Sequence, residues 1–300
     1  MQQTQTVLNK KSGLAGAGFS FVIFIYVLIT LVGGLILSLI EKEGGLLTRA
    51  ISCLYAPLAI TIVLVLLSRY QKQKITLTAN VKKCNIKFYG IAVLIAGGMF
   101  LGLGFINVYL SQVFAGWGIK ITENALPLDT VWHYLLFAVL LSVLPAITEE
   151  AFFRGFLVQG TRALGVIIAC VVSSLAFALY HGSLAQFVYQ LIYGAVLYML
   201  TVKAGSVIPS MLAHFINNFV IITLTYFNVA LDMFSPIVIA VGLVALALGL
   251  VLLFLPCKKT EKGNKAEKGS VKQEVLSFFI TASIGMLVCV LLIVLGAVGV

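Results

Sequence analysis

The chain has 300 residues, of which 61% are hydrophobic and only 10% charged, with a formal net charge of +10. Soluble domains carry about 25% charged residues, so this composition excludes a water-facing globule. The recurring apolar stretches are each near the roughly 20 residues that cross a hydrocarbon core. They point to an all-α polytopic integral membrane helical bundle, multi-pass in the cell membrane.

About nine transmembrane helices are expected, near residues 14–40, 47–68, 89–112, 131–153, 164–181, 183–202, 206–226, 236–256 and 275–299. The polar first dozen residues hold Lys10 and Lys11 and lead into a run longer than a signal-peptide core, without a small-residue cleavage site. The first helix is therefore expected to be retained. Gly98 and Gly102 form a GxxxG in the third span, a pattern that permits close helix packing. His133 stands near the start of the fourth span, as an interfacial residue. The stretch 257–274 reads as a flexible Lys-rich linker. Along the chain this gives N-terminal helices with a basic loop (1–128), a central core (129–228) and C-terminal helices (229–300).

The connecting segments alternate in charge. The basic set is Lys10 and Lys11, the segment 69–88, Arg154 and Arg162, Lys203, and the 257–274 segment. The opposite set holds only Lys42, Arg49 and Lys120 among cations, beside Glu41, Glu43, Glu123, Asp129 and Asp232. Lys and Arg mark cytoplasmic loops, so the N-terminus is expected inside and the C-terminus outside. The net charge reflects topology and suits anionic lipid headgroups; the bilayer, not nucleic acid, is the expected partner. The cysteines Cys53, Cys84, Cys170, Cys257 and Cys289 show no metal or disulfide spacing.

Charged and polar side chains at membrane depth are costly and tend to face a bundle interior. Three clusters qualify. In Glu149-Glu150-Ala-Phe-Phe-Arg154, Glu150 and Arg154 are i and i+4 and can pair. Glu149 lies about 100° around the helix from Glu150, away from that cation, as suits a general base. Pro145 removes one backbone hydrogen bond a turn earlier. In Phe177-Ala-Leu-Tyr-His181, Phe177 can wall one side of the imidazole. In His214-Phe-Ile-Asn217-Asn218, His214 and Asn218 share a face, where two donors can stabilise an oxyanion. Each cluster alone also fits an interfacial or helix-gluing role. Together they can activate water and hold a tetrahedral intermediate. Counting 1.5 Å per residue puts His181 about 25 Å along its span, Glu149 about 15 Å and His214 about 12 Å, so the counts disagree by about 10 Å.

The ordered motifs E-E-x-x-x-R, F-x-x-x-H and H-x-x-x-N, on separate helices, resemble the CAAX protease and bacteriocin-processing family, also called the Abi family, of intramembrane peptidases. The resemblance covers about residues 130–226. It implies endopeptidase chemistry in the membrane. Glu149 and His181 would activate water, His214 and Asn218 would hold the oxyanion, and Glu150, Arg154 and Phe177 would be structural or supporting. It also implies a membrane-associated peptide or protein substrate, in peptide processing or bacteriocin self-immunity. No prenyl-specific signature supports carrying over a prenylated substrate.

No H-E-x-x-H zinc motif, intramembrane aspartate pair or G-x-S-x-G elbow occurs in the sequence. No cofactor is expected, although glutamate and histidines are ordinary zinc ligands. Two other readings stay open: a non-catalytic scaffold or immunity protein that binds a sensor kinase, transporter or bacteriocin target, and a transporter using Glu149 and the histidines as a relay. The lack of an inverted repeat weighs against the transporter. Oligomeric state is not legible.

Overall fold

The computed structural model describes residues 2–40, 45–119, 126–255 and 271–298. Most of the Lys-rich linker lies outside these residues, as do Glu41, Lys42, Glu43, Lys120, Glu123 and Cys257. The described chain is helical, with no strand among the described residues. The spans are α1 (Gln2–Ile40), α2 (Leu46–Tyr70), α3 (Lys87–Gly116), α4 (Val131–Leu164), α5 (Val166–Tyr180), α6 (Leu184–Ala204), α7 (Ile208–Tyr226), α8 (Pro236–Phe254) and α9 (Val271–Val298). Among the described residues, eight of these are long and apolar enough to cross a membrane. The exception is α5, with 15 residues. It rises only about 22 Å, short of a hydrocarbon core of about 30 Å.

The ends follow local chemistry. Thr130 caps α4, its hydroxyl accepting from the His133 backbone N–H at 3.2 Å. Ser183 caps α6 in the same way, from Gln186. Pro209 and Pro236 sit in the first turns of α7 and α8, where their missing N–H costs nothing. Between α6 and α7 the chain turns at Gly205, at φ +68°, a conformation that favours glycine.

Helix contacts explain the small residues. Gly102 on α3 meets Gly242 on α8 so closely that a Cβ on either would strike the other's backbone. The GxxxG of α3 therefore has its partner in α8. The last helix, beyond the Lys-rich linker, packs along the first. The Thr281 hydroxyl donates to the Gly13 carbonyl at 2.8 Å and Ser20 to the Thr281 carbonyl at 2.7 Å, while Ser12 bonds the buried Glu274 carboxylate. Such hydroxyl bonds join helices where hydrocarbon supplies no hydrophobic drive.

Two features position the site. First, α4 is not a uniform α-helix. Two π-helical stretches, Val139–Val143 and Ala151–Leu157, bracket the α-helical Leu144–Glu150. Such π insertions are frequent at functional sites. Second, the basic segment after α2 folds back into the bundle. Its helical turn Ile75–Thr78 is followed by buried Ala79 and Asn80. Gly155 of α4 lies against the Ala79 backbone with no room for a Cβ. The Gln159 side chain donates to the Thr78 carbonyl at 2.9 Å. The start of α7 rests on this inserted segment through Val207 N–H to the Asn80 carbonyl at 3.2 Å.

Candidate active site

The insertion and the π stretches remove the depth mismatch. Helical structure in α4 continues to Leu164, and α5 begins at Val166. Glu149 and His181 each lie fifteen residues from those points, so both sit about 22 Å along. Because α7 starts on the inserted segment inside the bundle, His214 reaches the same level and touches Glu150 directly.

Glu149 and His181 face each other. The Glu149 Oε2 and His181 Nε2 atoms are 3.9 Å apart, longer than a direct hydrogen bond. The His181 Nδ1 lies 2.8 Å from the Phe177 carbonyl oxygen. That oxygen only accepts, so the hydrogen is on Nδ1, and a neutral ring offers a bare Nε2 to the glutamate side. Glu149 Oε2 is buried without a hydrogen-bond partner among the described residues.

Glu150 has a different environment. Its Oε1 accepts from Arg154 at 2.8 Å and from His214 Nδ1 at 2.9 Å. Both Glu150 and Arg154 are 0% exposed. The expected i, i+4 pair is present, and the structure adds His214 to it. With Nδ1–H turned to a carboxylate, His214 has Nε2 left for a substrate; donation from that atom requires the doubly protonated ring. Phe177 joins the two halves. Its ring centroid is 4.5 Å from that of His181 and 6.0 Å from that of His214. The Arg154 guanidinium lies 3.8 Å over its face, a cation–π contact.

Asn218 is positioned by a relay. Tyr189 of α6 donates to Asn217 Oδ1 at 2.8 Å, and Asn217 donates to Asn218 Oδ1 at 3.3 Å. Asn218 Nδ2 in turn donates to the Leu141 carbonyl at 3.1 Å. That carbonyl lies four residues before Pro145, which has no N–H to offer it. One N–H of the Asn218 amide remains for another acceptor. The roles of Tyr189 and Asn217 were not read from the motifs; their signal is a pair of polar side chains inside otherwise apolar spans. His133 lies at the other end of α4, 4.0 Å from Asp129. No group of three His, Cys, Asp or Glu arranged to hold a metal occurs among the described residues, and Cys53, Cys84, Cys170 and Cys289 are free thiols.

A carboxylate and an imidazole thus face each other inside a multi-pass helical bundle. Residues 131–220 match the family model described as Rce1-like, type II CAAX prenyl endopeptidase Rce1-like. The matched segment begins with α4 and contains all three motifs. No curated protein and no solved structure matches the chain.

Proposed function

We propose that the protein is a glutamate-type, metal-independent intramembrane endopeptidase of the cell membrane, acting on membrane-associated peptides or proteins. The observation that carries the reading is the approach of Glu149 to His181 within the bundle, at 3.9 Å. A water between them donates a hydrogen bond to the His181 Nε2, keeping that hydrogen, and transfers its other proton to the Glu149 carboxylate as its oxygen attacks the scissile carbonyl carbon. The resulting oxyanion accepts from His214 Nε2–H and from the free Asn218 N–H. Collapse of this intermediate breaks the C–N bond, and Glu149 returns its proton to the leaving amine. The unpartnered buried oxygens of Glu149, Tyr180 and Tyr193 support a hydrated centre, because buried polar groups are ordinarily satisfied by protein or water. Processing of peptide precursors, including a part in bacteriocin self-immunity, fits this chemistry.

Comparative peptidomics of membranes carrying the wild type or Glu149→Gln tests the reading. A precursor should accumulate and its product disappear in the variant, at equal protein abundance, and EDTA should leave wild-type turnover unchanged. Identical peptidomes would transfer the chain to the scaffold class.

A further inference from the structure

A cavity of about 620 Å³ lies beside the site, within the range usual for ligand pockets. It begins at Gly182 and Ser183, the residues directly after His181. Its polar lining comes from Asn107, Ser111 and Gln112 on α3 and from Ser183 and Gln186 at the start of α6. The C-terminal end of α9 around Gly296 closes another side. Among the described residues, its lining contains no acidic or basic side chain. The Asn107 Oδ1 is buried and has no hydrogen-bond partner among the described residues. Asn107 also borders a second cavity of about 500 Å³, which reaches Tyr189, the first member of the relay to Asn218.

This lining selects its occupant. A lipid phosphate calls for a cation, and none lines the cavity among the described residues. An acyl chain leaves the amides and hydroxyls unsatisfied, at a cost at membrane depth. A peptide unwound for cleavage brings unpaired main-chain N–H and C=O groups to the same depth, where they need partners. Neutral amides and hydroxyls both donate and accept, so they match a main chain without reading its side chains.

The orientation follows from the chain. Helix α9 runs away from the Lys-rich linker, and α5 runs away from the exposed Arg162. The far ends of both, with the α5–α6 turn, border the cavity. It therefore opens opposite the basic face, which the Lys and Arg distribution marks as cytoplasmic.

We propose that this cavity is the cleft in which the main chain of the substrate lies extended, entering from the extracytoplasmic face. The inference rests on the endopeptidase reading for its substrate class. Its test uses the full chain in proteoliposomes and a synthetic, uncharged, benzophenone-bearing peptide as probe. Photo-adducts should map to residues 107–112 and 183–186, in the wild type and in Glu149→Gln alike. Half-saturation should rise about tenfold in Asn107→Leu, and separately in Gln112→Leu, equivalent to about one lost hydrogen bond; unchanged melting of the exposed Gln112 variant separates binding from folding. In a cysteine-free background, an impermeant maleimide applied to intact cells should label Gln112→Cys and spare Lys74→Cys. Adducts elsewhere, no adducts, unchanged half-saturation in both leucine variants, or labelling of Lys74→Cys alone would overturn the cleft. Probe cleavage by the wild type with adducts elsewhere removes the cleft and leaves the endopeptidase. Adducts in the cavity with no cleavage by the wild type keep the cleft and remove the endopeptidase.

Discussion

On one side of α4, Glu150 is fully buried between Arg154 at 2.8 Å and His214 at 2.9 Å. One residue earlier, Glu149 has neither partner; its Oε2 is buried without a hydrogen-bond partner among the described residues, 3.9 Å from the His181 Nε2. The same side chain thus occupies two environments a single residue apart. The ion-paired carboxylate holds one histidine in place through its Oε1, while its Oε2 is buried without a hydrogen-bond partner among the described residues. The carboxylate without an ionic partner keeps a lone pair for chemistry. A helix turn of about 100° per residue is enough to create this difference, because Arg154 one turn along α4 and His214 on α7 both meet the Glu150 carboxylate.

The largest expected effect breaks the reactive half. Glu149→Gln keeps shape and removes the proton acceptor, so turnover should fall by about 10²–10⁴-fold, the range of general acid–base catalysis. Immunoblots should show normal membrane abundance. Equal loss of abundance and turnover would instead make Glu149 a second structural carboxylate.

Breaking the structural half should cost stability. Either Glu150→Gln or Arg154→Gln leaves a buried charge without its partner, a loss of about 3–5 kcal/mol in soluble proteins. Membrane abundance and melting temperature should fall in both, and the double substitution should be milder than the two costs added. Because His214 also rests on Glu150, the surviving Glu150→Gln protein should lose specific activity as well, whereas surviving Arg154→Gln protein keeps more of it. Normal abundance with no activity in Glu150→Gln would reverse the roles assigned to the two glutamates.

A third substitution acts through the inserted segment. Gly155→Ala places a Cβ against the Ala79 backbone, and overpacking of this kind costs about 1–3 kcal/mol. Thermal melting should show that loss, and limited proteolysis should cut the 71–86 segment faster. An unchanged melting curve would mean that the insertion does not brace α4.

The smallest effect sharpens the comparison at the oxyanion side. Tyr189→Phe removes the hydroxyl that holds Asn217, at a cost of about 1 kcal/mol for one hydrogen bond. Turnover should fall about fivefold with KM and abundance nearly constant. A change in KM alone would place Tyr189 in substrate binding instead.

The helical bundle was legible because apolar length and low charge leave few other states for the backbone in hydrocarbon, where every N–H and C=O needs an internal partner. The pairing of Glu150 with Arg154 and the edge-to-face contact of Phe177 with His181 were legible too, since i, i+4 spacing is a local property of the helix. Spacing also separated Glu149 from that pair. Tertiary structure alone decided that His214 meets Glu150, that Asn218 takes up the carbonyl left by Pro145, and that Tyr189 steadies it. It also decided that residues 75–80 enter the bundle and that α4 contains π stretches. These features depend on how far each helix slides and turns against its neighbours. Hydropathy and periodicity report a helix's length and faces, but leave that displacement open by several residues, which is the distance over which the depth counts disagreed.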